Sequence, residues 1–599
     1  MNQDEVAKAL LGMAEALRTQ DPPKLKMAIK CARSAVKLDT NDETRARCNL
    51  QLGKLLFFYT ENFDLARNHL QLAYDKMTQM GDFAARERMH AISMIADLYI
   101  HYQNWPARPI KDALKHEILH TRGFQTLTNK LLFQLIATAL PDLENVLFQE
   151  INKIDNDSDG AFDMCHYGIA QSAAASNVKM ELYFRITKTL VTYQLMHEEP
   201  PNEDVLKIGQ LIKALEADPA DKAHLEVIKD FFVCTKLAYM FYQGKSRTSR
   251  QLLRQIQKQQ TSGETTIQGI RWLGEASMTL FACVMNITSA LVQSNPGRLE
   301  KYFNLVVKHA DDAIYKYTRT PQEPGVVRCI NMIKMTTLEM MACCNVMACR
   351  PEQTLSNVRD MLEMCNRSSG PLLYRFYAPH IQYILGLQCC YFQQYDYAEK
   401  HFISALNFIN PDDTMSHNKI AFINLNLAWT YLNQLKMADY YEVAERLTAP
   451  KIAGCSQMLK SNVKLLHAYF SYLTNKANEC KTLILEVLDD SKAEDFFRLH
   501  GLALLLTSLI HAVDDKGVKP TFDWSKKSQD HVVILWSHHL YERIIRAAGA
   551  DPNGEMVRAV MADQEISRKT LDVQSLMPLV AGMPTVKLLQ VGTDLEVVA

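Results

Sequence analysis

His116-Glu117-Ile118-Leu119-His120 is the segment whose residue types and spacing most directly suggest chemistry. On a helix, histidines four apart stand one turn apart on one face. Two imidazoles so placed can hold zinc while the glutamate acts as general base toward a bound water, which is the chemistry of peptide hydrolysis. The surroundings weaken that reading. The longer metalloprotease motif would place glycine at 123, which is present, and a third histidine at 126, where Thr126 stands. Glu144 could in principle be a third ligand, and no spacing rule places it. A zinc metallopeptidase using His116, Glu117 and His120 is therefore the last of the alternatives.

Asp155-x-Asp157-x-Asp159-Gly160 resembles the first half of a calcium-binding loop. Such a loop needs a bidentate glutamate at its twelfth position to close the oxygen cage, and that position is His166. A solvated acidic turn is the simpler reading. The 14 cysteines show neither a C-x-x-C pair nor regular spacing, and several sit in apolar stretches, as Cys343, Cys344, Cys389 and Cys390 do. They read as small buried hydrophobes. With no phosphate-cradling glycine loop, nucleophile elbow or paired carboxylates, the sequence points to a non-enzymatic chain without cofactor or metal.

What would position any of these residues is a set of helices. Leu385-Gly386-x2-Cys389-x8-Ala398-x3-Phe402-x2-Ala405 has the small-residue ladder of a tetratricopeptide (TPR) helical hairpin. Two helices cross closely only where each presents a small side chain, here Gly386 and Ala398, while Phe402 and Ala405 follow on the buried face of the second helix. Asn410-Pro411 stands where the repeat should end. The pattern recurs at Leu52-Gly53-x2-Leu56 with Ala66, Leu70 and Ala73, and at His467-Ala468-x2-Ser471 with Cys480, Ile484 and Val487. Leu11-Gly12, Ile95-Ala96 and Leu427-Ala428 read as first helices of further repeats. A repeat of ~34 residues cannot bury its apolar face alone, so several must stack. The expected fold is all-α, an α-solenoid superhelix of TPR hairpins.

The 599 residues exceed a single compact core, which stops growing near ~250–300 residues, and a solenoid escapes that limit. Residues 1–317 are expected to form an N-terminal half of the superhelix. A linker at 318–325 (Thr-Arg-Thr-Pro-Gln-Glu-Pro-Gly) precedes a C-terminal half over 326–575 and a loose tail over 576–599. The net charge of −1 gives no whole-molecule field for nonspecific nucleic-acid binding. The clusters Lys24, Lys26, Lys30, Arg33, Lys37 and Lys245, Arg247, Arg250, Arg254, Lys258 read as solvated helix faces. The start, Met1-Asn2-Gln3-Asp4-Glu5, has no apolar core, and the longest apolar run, Leu502 to Ile510, is far short of a membrane span. An intracellular protein with no membrane and no small-molecule substrate is expected.

The remaining functional surface is the groove lined by the first helix of each hairpin. Projecting those helices gives Arg47, Leu50, Lys54, Phe57 and Phe58, then His90, Asp97 and His101, then His380, Tyr383, Leu387 and Tyr391. Aromatics mixed with charge suit an extended peptide, whose affinity concentrates in buried anchors. Phe57 and Tyr391 could equally pack between repeats. A chaperone-tail clamp would want lysine with asparagine one turn on, and Leu50/Lys54, Ser93/Asp97 and Tyr383/Leu387 do not supply it.

Several segments resemble one family, the MAU-type cohesin loading factors, the TPR subunit of the cohesin loader. They are Ala9-Leu10-Leu11-Gly12-x-Ala14-Glu15 through Pro22-Pro23-Lys24, Leu50-Gln51-Leu52-Gly53 through Thr60-x-Asn62 to Leu70, Leu131-Leu132-Phe133-Gln134-Leu135, Ala398-Glu399, Ala493-Glu494-Asp495-x2-Arg498-Leu499 and Leu535-Trp536-Ser537. His116–His120 is no part of the family pattern, and the stretch from about 150 to 370 matches it poorly. The resemblance implies a scaffold whose superhelix embraces the extended N-terminal segment of the large HEAT-repeat loader subunit. It would meet cohesin and chromatin indirectly, in the nucleus and also the cytoplasm, and serve sister-chromatid cohesion. A generic TPR adaptor for another assembly is the alternative.

Overall fold

A computed structural model of the chain describes residues 2–60, 62–102, 107–121, 123–139, 158–193, 200–216, 222–258, 275–317, 324–365, 370–409, 417–511, 521, 523–524, 527 and 530–547. Among them there are helices and turns and no strand. The calcium-like residues 155–157, Asn410-Pro411 and the tail 576–599 lie outside the described residues. Of the linker expected at 318–325, only Pro324 and Gly325 are described, and they open the helix Pro324–Met347.

The chain forms two compact units. One comprises Met1–Thr235, Thr261–Ser277 and Ala310–Met332, the other Lys236–Gln260, Met278–His309 and Ile333–Ala599. Each is a stack of antiparallel helical hairpins. In the first unit these include Gln3–Thr19 with Leu25–Val36, Asp42–Tyr59 with Phe63–Gln79, Ala85–Tyr102 with Ala107–His120, and Ser158–Ala174 with Val178–Val191. In the second, Gly370–Tyr391 pairs with Tyr395–Asn407, His417–Asn433 with Met437–Arg446, and Gln457–Leu473 with Ala477–Glu494. The α-solenoid expectation therefore holds within each unit.

The hairpins close where the ladder places small residues. A Cβ on Gly386 would lie 2.7–3.0 Å from the Phe402 ring, and one on Gly53 would lie 2.8 Å from Leu70 side-chain carbons and 3.2 Å from its backbone nitrogen. Ala398, Phe402 and Ala405 are fully buried, as their spacing predicts. A further crossing was not read from the sequence: Gly168 meets Phe184, with 2.6–2.7 Å available to a Cβ, inside the stretch that matches the family poorly. Gly12 is different, because nothing lies within 4 Å of its would-be Cβ. The helix Gln3–Thr19 packs through Ala7 and Ala14 instead.

Most hairpin turns share one geometry. Ser176, Gly244, Ser294, Cys349, Gln393, Leu435 and Asn475 all have φ between 52 and 79°. At each, the next residue's N–H returns to the carbonyl five residues back, as from Gln394 to Cys389 at 2.9 Å and from Lys476 to Ser471 at 2.8 Å. This left-handed cap satisfies carbonyls that a helix end leaves bare. Gln394 then opens the following helix by accepting from the Ala398 N–H at 3.0 Å. Only one of the seven is glycine; each of the others costs about 1–2 kcal/mol in left-handed conformation, offset by the closing bonds. The caps at Cys349, Gln393, Leu435 and Asn475 recur every 40–44 residues, longer than the ~34 expected.

Among the described residues, the buried cysteines behave as apolar filler. Burial pushes the thiols of Cys165, Cys365 and Cys389 up to about 12, so they stay protonated. Among the described residues no helix is long and apolar enough to cross a membrane. Lys24, Lys26, Lys30, Arg33 and Lys37 lie exposed, the solvated face expected.

Candidate partner-binding face

Glu117 is fully buried, its carboxylate drawn into the core. It accepts from Arg88 Nε at 2.5 Å and Tyr74 Oη at 3.3 Å on one oxygen, and from Thr121 Oγ1 at 2.8 Å on the other. Arg88 also donates to the Gly81 carbonyl at 2.9 Å. The carboxylate thus ties Phe63–Gln79, Ala85–Tyr102 and Ala107–His120 together. A carboxylate so committed cannot polarise a metal-bound water, and the metallopeptidase reading is corrected on that ground. Among the described residues no cluster of three His, Cys, Asp or Glu could hold a metal.

In the first unit the projected residues divide by burial. Leu50 and Phe57 are 5% and 2% exposed and belong to the core, so the groove assignment is corrected for both. Phe58 stays half-buried, its ring edge-on to Phe57 at 4.8 Å. Arg47 is exposed and paired with Glu43 at 2.9 Å. His101 lies in the helix Ala85–Tyr102, and its side chain is outside the described residues. Asp97 is taken by the next first helix, Gln125–Ala139. It accepts from Lys130 Nζ at 3.4 Å and from Gln134, whose amide also donates to the Ser93 carbonyl at 3.0 Å.

Lys54 and His90 stand on successive first helices, near enough for the Lys54 charge to act on the His90 ring, and both are half-buried. Burial pulls the Lys54 ammonium below its ordinary value; Glu87 and Glu15 favour its charge and Arg86 opposes it. Burial likewise lowers His90, and Lys54, Arg86 and Lys130 add to the effect while Glu87 opposes them. The desolvated Lys54 ammonium is held at a cost, which an acidic or carbonyl-rich ligand would relieve, while the same surroundings favour the neutral His90 ring.

In the second unit the projection also mixes core and surface. Tyr383 is 7% exposed, and its hydroxyl donates to Glu339, so this residue too is corrected to the interior. His380 Nδ1 lies 2.8 Å from the same carboxylate. Burial would raise Glu339, but His380 and the Tyr383 hydroxyl outweigh it and hold the carboxyl below its usual range. Leu387 is half-buried. Tyr391 donates to Asp530 Oδ2 at 2.9 Å and accepts from Arg498 at 3.3 Å, while Arg498 Nε reaches Asp530 at 2.6 Å. These bonds tie the Tyr391 hydroxyl to Asp530 and to the helix Phe497–His511.

Sequence projection missed the groups that flank His380 and Tyr383. Phe376 lies 5.0 Å from the His380 ring, Tyr383 lies 5.5 Å from Phe422, and Lys419 Nζ sits 4.9 Å over Phe376. Trp429 and Tyr469 continue it, ring to ring at 5.3 Å on consecutive first helices. The available signal was the aromatic content of His417–Asn433, which carries Phe422 and Trp429 on a helix already read as a repeat.

No family model matches the chain. It is 68% identical over 591 residues to "Maternal uncoordinated protein 2" of Caenorhabditis elegans, covering 98% of this chain and 97% of the relative. It is 23% identical over 567 residues to the "MAU2 chromatid cohesion factor homolog" of Aedes aegypti, covering 91% and 86%. Among solved structures, a crystal structure of Scc4 in complex with Scc2n and Ctf19n matches with a TM-score of 0.53 at 10% identity, covering 94% of this chain and 97% of that one. That likeness is one of fold.

Proposed function

Because this chain belongs to the MAU2 family of chromatid cohesion factors, we propose that it is the helical-repeat scaffold subunit of a cohesin loader. Its partner is the extended N-terminal segment of the large HEAT-repeat subunit, and through it the pair promotes cohesin loading and sister-chromatid cohesion. The near full-length identity to the nematode relative carries this reading. The Scc4 structure, of like fold, was solved with Scc2n. The role is non-enzymatic and its place is the nucleus, on chromatin through its partners.

The physical rationale lies in the rows of first helices. An extended segment orders only on binding, so many modest contacts must sum along its length to repay that entropy. Lys54, His90, Phe58 and Arg47 in one unit, and His380, Leu387, Lys419 and Phe422 in the other, supply charge and aromatic edges for such contacts. Co-expression with the N-terminal segment of the large subunit tests the assignment. Recovery in near-equal amounts is expected; isolation of the chain without that segment, or with an unrelated assembly in equal amount, would leave a TPR adaptor of another complex.

A further inference from the structure

With Glu117 turned into the core, the two histidines beside it are left as a separate feature. His116 and His120 are exposed one turn apart at the C-terminal end of Ala107–His120, with ring centroids 4.7 Å apart and planes inclined by 24°. The inner nitrogen of the His120 ring has a hydrogen-bond acceptor, and that of His116 lies near a carboxylate without bonding to it. His120 Nδ1 donates to the His116 carbonyl at 2.9 Å, and His116 Nδ1 lies 3.8 Å from Glu117 Oε1. Backbone carbonyls and carboxylates in these positions fix ring orientation in metal sites and leave Nε2 as the ligating atom. With both residues exposed, Nε2 is the nitrogen that each ring has left to take a ligand.

We propose that His116 and His120 form a two-imidazole chelate for a divalent cation of the copper, nickel or zinc class, with water filling the remaining positions. Imidazole pairs suit these ions and are poor ligands for calcium or magnesium. The dication sits at the carbonyl end of its helix, where the backbone dipole favours positive charge. Exposed Asp112, one turn before His116, adds negative potential, and exposed Lys115 opposes it. With Glu117 held by Arg88, the site binds a metal without activating water on it.

The chain has 18 histidines, so the test is a difference between variants of the full-length protein. Calorimetric titration with Ni²⁺ should show one saturable equivalent that weakens about tenfold or more in His116→Gln and in His120→Gln. A third variant combines Leu119→His with His120→Leu, which keeps the histidine count and breaks the one-turn spacing. It should lose the same equivalent, while circular dichroism of all three stays that of the parent. Titrations that superimpose on the parent, or a spacing variant that binds as the parent does, would overturn the chelate.

Discussion

Arg88 and Glu117 form an ion pair with side chains 5% and 0% exposed, 2.5 Å apart, and the pair joins consecutive hairpin helices through the core. A charge left behind in such a place cannot recover its hydration. Removing one partner of a buried pair costs roughly 3–5 kcal/mol, whereas replacing both by well-packed apolar groups can be close to neutral. Glu117→Ala should therefore lower the denaturant midpoint strongly. Arg88→Met with Glu117→Leu should recover much of the loss, and a double variant as unstable as Glu117→Ala would show that the pair is not the source.

The glycines separate into crossing and non-crossing positions, which alanine substitution should resolve with opposite signs. Gly386→Ala and Gly168→Ala place a methyl against the rings of Phe402 and Phe184, and overpacking of that kind costs about 1–3 kcal/mol. Gly12→Ala meets open space on a helix and should stabilise by roughly 0.5–1 kcal/mol. Thermal unfolding of the three variants measures this directly, and equal destabilisation by all three would defeat the distinction.

Helices and crossings were legible in the sequence because periodicity and small-residue spacing report packing of a residue against its near neighbours. The Gly386/Phe402 and Gly53/Leu70 contacts are of this kind. Long-range polar contacts were not. Glu494 and Asp495, quoted as a family segment, accept from the Arg247 N–H at 3.0 Å and from the Arg250 guanidinium, some 245 residues away in sequence. Nothing local marks those partners. Leu50, Phe57 and Tyr383 departed from the projection for a different reason: a helix projection separates faces, but several faces of a stacked helix are covered.

Asp230 should make stability depend on pH. It is 3% exposed, and its Oδ1 has no hydrogen-bond partner among the described residues. Burial, with Glu226 adding to it, raises its carboxyl to about 6. A raised folded-state value means that the native chain holds the proton more tightly than the unfolded one. The resulting stability is present in full below the ordinary carboxyl value of 3.8 and is lost as pH rises through about 6. Asp230→Asn removes the ionisation and should raise the melting temperature at pH 7.5, by a gain on the order of 1–3 kcal/mol. That advantage should shrink toward pH 5, and a pH-independent gain would point to packing.

Lys54 with His90, and Tyr391, were grouped by sequence and should behave oppositely. Lys54→Glu with His90→Glu places negative charge on side chains that are only half-buried, so folding should persist while affinity for the large subunit's N-terminal segment falls about tenfold or more, or ~1.4 kcal/mol. Tyr391→Phe deletes the hydroxyl shared by Asp530 and Arg498 and should cost about 1–2 kcal/mol of stability with little change in affinity. Titration with the labelled segment, run beside thermal melts, reads both quantities. If Tyr391→Phe weakened binding with the melt unchanged, the hydroxyl would belong to the partner face; if the Lys54/His90 pair left affinity untouched, the first unit's helices would not line it.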